Sequence, residues 1–301
     1  QQIDLNSGAT VKYIEIEDYA NPYDIVLYKD YLYVTGMLTN KVYKIDSFTD
    51  EVVDEVEVGL APQGMIVVGD YLYVANSGFS YPDYFDGELS VIDLNEFSVT
   101  KTIPVNLNPQ RMALDRDNRI HLVCTGDYDE NKGSVLVIDT SDNSVIEEIS
   151  FNNYPMNIVI MPNDQAYVGD AFNSGVYAYN IKRLEIVYDA ENPLYEGSGF
   201  LYNYEDQYLV VADAHDFMSN STVSIFDLDD ELQFSFQTAI GAVDVASVSK
   251  TTSIDDNLIT PQISVYPNPS RDSFRIDLIA LQGVSFNKSQ CLNQLIVEIY
   301  N

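Results

Sequence analysis

The stretch that decides the fold is YLYVANSGFSYPDYFDGELSVIDLNEFSVTKTIPV, at residues 71–105. It contains short runs rich in Val, Ile, Leu and Tyr, such as 71–74 and 89–93, and Gly, Asn, Asp or Ser stands between them. This pattern predicts β-strands that are separated by turns. The chain has no sustained 3.6-residue periodicity, so we expect almost no helix.

The same order of strands recurs with a period of roughly 40–46 residues, which is typical of four-stranded propeller blades. Each unit opens with a turn, which often contains proline. Four strands follow it: an apolar first strand, a second, a third, and a more exposed fourth. The second strands are 31–34, 71–74, 120–123, 165–168 and 208–211, and the third strands end at Asp46, Asp93, Asp139, Asn180 and Asp227. Such units cannot bury their faces singly but can do so side by side. The repeat therefore predicts an all-β fold, a β-propeller.

The two ends of the repeat indicate how the propeller closes. Residues 3–17 match the end of a third strand and a fourth strand, and residues 241–249 match the turn and first strand of a further unit. Together they would form a split sixth blade. We therefore expect about six four-stranded blades within residues 1–250, or seven if N-terminal residues are missing.

Residues 71–105 resemble the YVTN-type propeller repeat of bacterial secreted and surface-layer-like proteins, and the resemblance covers about residues 1–250. Residues 115–128 (DRDNRIHLVCTGDY) and 212–241 are similar to a Bacteroidetes branch of such propellers. That branch includes surface proteins that capture cobalamin, so the resemblance implies ligand binding, with nutrient capture as one version. The signature residues of the repeat are structural and leave the ligand open.

Beyond residue 250 the repeat stops, and residues 251–262 form a polar linker. Residues 263–301 contain Tyr266, Pro267, Asn268 and Pro269, followed by FRIDL at 274–278 and IVEIYN at 296–301. This order resembles a partial type A sorting domain of the type IX secretion system. The resemblance implies a partial small β-sandwich, the type IX secretion machinery as a partner, and a secreted or outer-surface location. The alternative is an ordinary hairpin with a proline turn.

The composition excludes several partners. The chain has 47 acidic and 15 basic residues and a net charge of −32, so it lacks the basic surface that nucleic acid requires, and an anionic membrane would repel it. No run of about 18 apolar residues occurs, so we expect no transmembrane segment. The acidity favours solubility or the attraction of cations.

The predicted binding site lies on three long connections between second and third strands, at residues 76–88, 125–133 and 213–222. Unequal loops on a regular scaffold are where binding residues accumulate. Their tyrosines, phenylalanines and acids suit a flat or cationic ligand with polar groups, bound either as a small molecule or as part of a surface protein. The predicted ligand-binding residues are Tyr81, Asp83, Tyr84, Asp86, Arg111, Tyr128, His215, Asp216 and Phe217. The alternative is loop variation without function.

Asp127, Asp129 and Asn131 alternate as the oxygen ligands of a calcium loop do, so Ca²⁺ is the candidate cofactor. The match is partial, because an EF-hand has glycine one place before Gly133 and glutamate where Ile138 stands. A solvated acidic turn is the alternative. Arg111 suits either an anionic ligand or a structural ion pair, and His121, within a strand, suits packing.

The chain contains no nucleophile motif, glycine-rich phosphate loop or Cys/His metal set. A non-catalytic binding module for a ligand or a protein is therefore the favoured function. Two alternatives stay open: a structural component of an extracellular layer or filament, and a hydrolase or lyase that uses carboxylates at the mouth of the propeller channel.

Overall fold

A computed structural model of the chain describes residues 2–4, 9–172, 175–197, 199–203, 207–215, 218–242, 246–248, 262–266, 274–277 and 294–298. These residues contain β-strands, turns and no helix. Strands β1 (Gln2–Ile3) and β2 (Thr10–Lys12) form a two-stranded sheet. The chain divides into a first compact unit of residues 1–2, 12–172 and 176–194, and a second of residues 3–11, 173–175 and 195–301.

In its described residues, the first unit contains four antiparallel four-stranded sheets, which we call blades 1 to 4. Blade 1 consists of β3 (Pro22–Tyr28), β4 (Tyr31–Gly36), β5 (Lys41–Asp46) and β6 (Val52–Glu57). Blade 2 consists of β7 (Pro62–Val68), β8 (Tyr71–Asn76), β11 (Gly87–Asp93) and β12 (Ser98–Val105), and a hairpin of β9 (Phe79–Ser80) and β10 (Asp83–Tyr84) lies between β8 and β11. Blade 3 consists of β13 (Pro109–Leu114), β14 (Arg119–Gly126), β15 (Lys132–Asp139) and β16 (Ser144–Ile149). Blade 4 consists of β17 (Pro155–Ile160), β18 (Gln165–Asp170), β19 (Val176–Asn180) and β20 (Glu185–Tyr188).

The second unit contains blade 5, formed by β21 (Gly199–Asn203), β22 (Tyr208–Asp213), β23 (Asn220–Phe226) and β24 (Leu232–Ile240). It also contains β25 (Ala246–Val248), β26 (Gln262–Tyr266), β27 (Phe274–Asp277) and β28 (Gln294–Glu298), which form one sheet in the order β25-β28-β26-β27. Strands β26 and β28 are parallel in this sheet.

The prediction of an all-β propeller with four-stranded blades is confirmed. The first strands of blades 1 to 4 contact each other in chain order, β3 with β7, β7 with β13, and β13 with β17. Their approach is close: a Cβ added to Gly64 would lie 2.2 Å from the carbonyl oxygen of Gln110. A glycine in β7 is therefore a packing requirement of the inner strands.

Apolar side chains fill the space between successive blades of the first unit. Blades 1 and 2 share a buried cluster with Tyr33, Val42 and Leu72, and blades 3 and 4 share one with Val135, Phe151 and Tyr177. Because full burial of one such side chain contributes about 1.5–3 kcal/mol, these clusters hold each blade to the next.

A buried polar network also joins blades 3 and 4. His121 is fully buried, with Nε2 3.1 Å from Asp115 Oδ2 and Nδ1 2.5 Å from the Tyr179 hydroxyl. Arg119 donates to Asp115 through Nε at 2.7 Å and to the carbonyl oxygen of Ile181 through Nη2 at 2.9 Å. Burial would raise the pKa of Asp115, but the hydrogen bonds from His121 and Arg119 outweigh it and hold that pKa well below its usual range. His121 is thus a packed histidine, as expected.

The ends of the repeat are described only in part, and the split sixth blade stays a prediction. Among the strands that the structure describes, β25 pairs with β28, and β2 pairs with β1. Strand β25 thus lies at the edge of the sheet of C-terminal strands. The number of blades beyond five, the domain boundaries and the partial β-sandwich stay predictions. Tyr266 ends β26, and Pro267, Asn268 and Pro269 lie outside the described residues.

In the described part of the chain, no helix is long and apolar enough to cross a membrane.

Candidate functional site

Hydrogen bonds fasten the connections between second and third strands to the turns that open each blade. The backbone N–H of Ser77 donates to Ala61 at 3.1 Å, that of Thr125 to Asn108 at 2.9 Å, and that of Ala171 to Tyr154 at 2.8 Å. We call the resulting surface the loop face; it comprises residues 60–62, 76–87, 107–109, 125–132, 153–155 and 170–172. The chain therefore gathers these segments at one end of blades 2 to 4.

Two glycines turn the long loops back over this face. Gly78 has φ 70° and Gly126 has φ 86°, values that favour glycine. A Cβ on Gly78 would lie 2.4 Å from the Phe85 carbonyl oxygen, and one on Gly126 would lie 2.1 Å from that of Asn131. Both loops thus fold tightly enough that their returning segments lie against these glycines.

The folded loops bring together an aromatic cluster, which we define as Phe79, Tyr84, Tyr128, Tyr154 and Phe172. Tyr128 lies at its centre, with its ring centroid 6.0 Å from Tyr84, 5.9 Å from Tyr154 and 5.8 Å from Phe172. Tyr154 and Phe172 are 5.2 Å apart and nearly perpendicular, and Phe79 and Tyr84 are 5.0 Å apart. Such ring pairs stabilise by about 0.5–1.5 kcal/mol each beyond area burial. The cluster therefore joins loops of three blades.

The exposure of the side chains increases across the cluster, from a buried tyrosine to exposed rings at the surface. Tyr154 is buried, and Tyr84 and Tyr128 are half-buried. Phe172 is 54% exposed, and Phe85 and Tyr81 on the neighbouring loop are 57% and 88% exposed. Exposed aromatic rings above a packed aromatic base are typical of a binding surface and not of a core.

Polar contacts fix the loop that carries Tyr128. The Tyr154 hydroxyl donates to the Asp129 carbonyl oxygen at 2.6 Å, and the Lys132 ammonium lies 4.0 Å from the Tyr154 ring centre. Asp127 Oδ1 accepts hydrogen bonds from the backbone N–H groups of Asp129 and Asn131 at 3.0 and 2.9 Å. Tyr128 itself has φ 64°, a conformation that costs a non-glycine residue about 1–3 kcal/mol. The surrounding contacts therefore hold Tyr128 in a strained position.

The same contacts bear on the predicted calcium ligands. Asp127 Oδ2 accepts a hydrogen bond from Asn131 Nδ2 at 2.5 Å, so both Asp127 oxygens are used within the loop. Burial would raise the pKa of Asp127, but the hydrogen bonds from Asn131 and the loop backbone outweigh it and lower that pKa. Among the described residues, no group of three or more His, Cys, Asp or Glu side chains could hold a metal ion. Calcium at Asp127, Asp129 and Asn131 stays a prediction.

A second group of polar residues lies beside the cluster, where the inner strands begin. We call it the central group; it comprises Tyr23, Asp24, Gln63, Asn108, Gln110 and Arg111. The Tyr23 hydroxyl of blade 1 donates to Gln110 Oε1 of blade 3 at 2.9 Å, and Arg111 Nη1 lies 3.7 Å from Asp24 Oδ1. Asp24 Oδ2 accepts the backbone N–H of Met65 at 2.8 Å. Arg111 thus takes part in an ion pair between blades, which was one of its two predicted roles.

Asn108 connects the central group to the loop of Tyr128, because its Oδ1 accepts from Gln110 Nε2 at 2.5 Å and its Nδ2 donates to the Gly126 carbonyl oxygen at 3.0 Å. Burial raises the pKa of Tyr84 to about 12 and raises that of Tyr128 above its ordinary value. Both side chains are therefore neutral phenols at neutral pH.

The structure brings together some of the predicted ligand-binding residues. Tyr84 and Tyr128 are in the cluster, and Tyr81, Asp83 and Asp86 are exposed on the same loop as Tyr84. Residues that the sequence prediction missed are Phe79, Asn108, Tyr154 and Phe172. Phe79 stands in a hairpin strand, Asn108 and Tyr154 in opening turns, and Phe172 in a short loop. A single aromatic or amide residue in such a segment does not by itself indicate a binding site.

His215 belongs to the second unit. Its Nδ1 lies 2.9 Å from Asp213 Oδ2 and its Nε2 lies 2.9 Å from Thr222 Oγ1, so the side chain bridges β22 and β23. The predicted residues Asp216 and Phe217 lie outside the described residues.

Neither a protein-family model nor a curated protein matches the chain. Among solved structures, the chain is similar to hydrazine synthase from Kuenenia stuttgartiensis, at 17% identity and a TM-score of 0.46. The similarity covers 79% of this chain and 92% of that one. A likeness at this level says nothing about ligand or chemistry, and the propeller fold rests on the blades described above.

Proposed function

We propose that this protein is an exported, non-catalytic binding module, and that its ligand contacts the aromatic cluster on the loop face. One observation carries the proposal: loops from blades 2, 3 and 4 converge on packed aromatic rings whose outermost members are exposed. Nutrient capture at the cell surface is the role that fits such a module. The proposed export rests on the resemblance of residues 263–301 to a type A sorting domain.

The position of the histidines supports binding over catalysis. The chain has two histidines. His121 is buried between blades 3 and 4 with both ring nitrogens in hydrogen bonds, and His215 belongs to the second unit. His121 is therefore engaged in the contact between blades, and the alternative of a hydrolase or lyase relies on carboxylates.

A structural role in an extracellular layer is the second candidate, and a repeated surface feature favours it. In each of blades 1, 3 and 4, the fourth strand exposes two successive β-branched residues. These pairs are Val52 and Val53, Val145 and Ile146, and Ile186 and Val187. A register shift falls at each pair, and bulged edges present side chains outward while they block strand addition. Lateral contact through these side chains would assemble copies of the chain.

Binding is tested with a defined panel of neutral, cationic and anionic small molecules, by their effect on the melting temperature of the intact chain. The variant Phe172→Ala removes an exposed ring of the cluster. Its matched control is Phe48→Ala, because Phe48 is 79% exposed in the turn between β5 and β6, at the opposite end of the strands. We expect stabilising compounds to lose their effect in Phe172→Ala and keep it in Phe48→Ala. Equal effects on both variants would refute a site at the cluster.

Two further measurements separate the alternatives. Light scattering of the purified protein should show a monomer, and concentration-dependent oligomers that disappear in Ile146→Asp would favour the layer. Removal of residues 263–301 should abolish release from a host with type IX secretion machinery, and unchanged release would refute the sorting role.

A further inference from the structure

We infer that the aromatic cluster binds an organic ammonium ion, a ligand in which a substituted ammonium group carries a small apolar body. This inference rests on the proposed function, since it names the ligand class of the same site. Three independent observations support it: an ammonium group that already lies on the cluster, the geometry of the rings, and the charge of the surrounding loops.

The first observation is an internal cation. The Lys132 ammonium lies 4.0 Å from the centre of the Tyr154 ring, contacts the Tyr154 hydroxyl, and donates to the Asp129 carbonyl oxygen at 3.3 Å. A cation within about 6 Å of a ring centre is attracted by the negative face of the ring. The aromatic cluster thus already holds an ammonium group, which lies beside the Tyr154 hydroxyl and the Asp129 carbonyl oxygen.

The second observation is the arrangement of the outer rings. Phe172 stands at 72° to Tyr128 and at 88° to Tyr154. Tyr128 and Tyr154 are inclined to each other by only 33°, so Phe172 stands steeply against both of them and forms a corner with them, with ring centroids 5.2–5.9 Å apart. Phe172 is 54% exposed, so a ligand can reach its ring. Corners of this kind are used to recognise quaternary ammonium groups.

The third observation is charge. The loops at residues 76–88 and 125–133 contain six carboxylates and one lysine. Tyr84 and Tyr128 do not alter this negative charge, since burial raises both phenol pKa values and keeps the rings neutral. Asp83 and Asp86 are exposed on the rim beside Tyr84. Within the screening length of about 8 Å at physiological salt, this rim attracts a cation and repels an anion.

The test uses the intact protein and two probes of the same shape, choline and its neutral carbon isostere 3,3-dimethylbutan-1-ol, in titration calorimetry. We expect choline to bind at least roughly tenfold more tightly than the alcohol, because only choline gains from the ring faces and the acidic rim. Added sodium chloride should weaken the binding of choline and leave that of the alcohol unchanged.

Variants locate the site. Phe172→Ala should weaken choline binding roughly fivefold to tenfold, and Phe48→Ala should leave it unchanged. The double variant Asp83→Asn with Asp86→Asn should also weaken it, whereas Glu51→Gln with Glu96→Gln should not. The second pair removes the same charge from exposed turns between third and fourth strands. Circular dichroism and melting temperature confirm that each variant is folded.

Three results would overturn the inference: equal affinity for choline and the alcohol, choline binding that survives Phe172→Ala, or no choline binding at millimolar concentration. The proposed function is judged separately. A neutral compound from the panel that binds in a Phe172-dependent way would preserve the binding module and reject the ammonium ligand. If no compound of any charge binds, both fail.

Discussion

Replacing Tyr179 by phenylalanine removes one hydroxyl from the buried network between blades 3 and 4. Asp115 is a carboxylate and can only accept, so His121 Nε2 carries the proton that it shares with Asp115; in the tautomer with that single proton, Nδ1 accepts from Tyr179. Burial raises the pKa of Tyr179 well above its ordinary value, so the hydroxyl keeps the proton that it donates. The variant Tyr179→Phe therefore leaves Nδ1 of a fully buried imidazole without a donor.

The loss of stability in Tyr179→Phe depends on how deeply Nδ1 of His121 is buried. An unsatisfied buried acceptor costs about 1–3 kcal/mol, whereas a typical hydrogen bond whose partner can turn to water contributes about 0.5–1.5 kcal/mol. Tyr73 supplies the second case, because its hydroxyl donates to Asn143 Oδ1 at 2.7 Å and Asn143 is half-buried in a turn. Tyr179→Phe and Tyr73→Phe make the same chemical change, so their difference isolates the buried acceptor.

The assay is urea unfolding of both variants and the parent chain, followed by circular dichroism. We expect Tyr179→Phe to lower the free energy of unfolding by about 1 kcal/mol more than Tyr73→Phe, which is the difference between the midpoints of the two ranges, with unchanged dependence on urea. An equal or smaller loss in Tyr179→Phe would refute the reasoning, since it would mean that His121 does not depend on the hydroxyl of Tyr179.

Three further predictions test other parts of the structure. Hydrogen bonds depress the folded-state pKa of Asp115, so the stability that Asp115 contributes is complete above the unfolded pKa of about 3.9 and is lost as pH falls further. Asp115→Asn should therefore be less stable than the parent chain at pH 7, and the difference in unfolding free energy should narrow below about pH 4. A difference that does not depend on pH in urea titrations would contradict this. Gly126→Ala should lower the free energy of unfolding more than Gly69→Ala, because both glycines have positive φ but only Gly126 lacks room for a Cβ. It should also change the near-ultraviolet dichroism of the tyrosines. Equal losses of unfolding free energy in the two variants would contradict this prediction. If the predicted calcium loop binds Ca²⁺, calcium chloride should raise the melting temperature of the parent chain and not that of Asp129→Asn, and equal melting temperatures in calcium and in chelator would reject the site.

The fold was predictable because local chemistry marks each blade. Asp46 ends β5, and its Oδ1 accepts the backbone N–H groups of Phe48 and Thr49, both at 2.9 Å. Asp93 makes the same turn after β11, with Asn95 and Glu96. Short aspartate side chains that cap a turn in this way recur at fixed positions, so the repeat is visible in the sequence.

The site was only half predictable, for a physical reason. Tyr84 and Tyr128 stand in loops whose length draws attention, but Tyr154 stands in an opening turn and Phe172 in a short loop. Their meeting depends on the packing of blade 4 against blade 3 and on the backbone reversal at Gly126, neither of which is a property of local sequence. One signal was available: Tyr154 occupies the position before proline where the other units have Asn21, Ala61 and Asn108. A large aromatic at a position otherwise taken by small residues indicates a special contact.

The acidity of the chain and the placement of its cations support a cationic ligand over an anionic one. Arg111, the predicted contact for an anionic ligand, is paired with Asp24, and its guanidinium lies 5.8 Å from the Tyr23 ring centre. Lys132, on the aromatic loop, lies on Tyr154. Arg111 is thus engaged with a ring and a carboxylate of the central group, and Lys132 with a ring of the aromatic cluster. A positively charged ligand would extend that pattern to the exposed ring of Phe172, whereas an anion would have to displace Asp24 and approach six carboxylates of the two long loops.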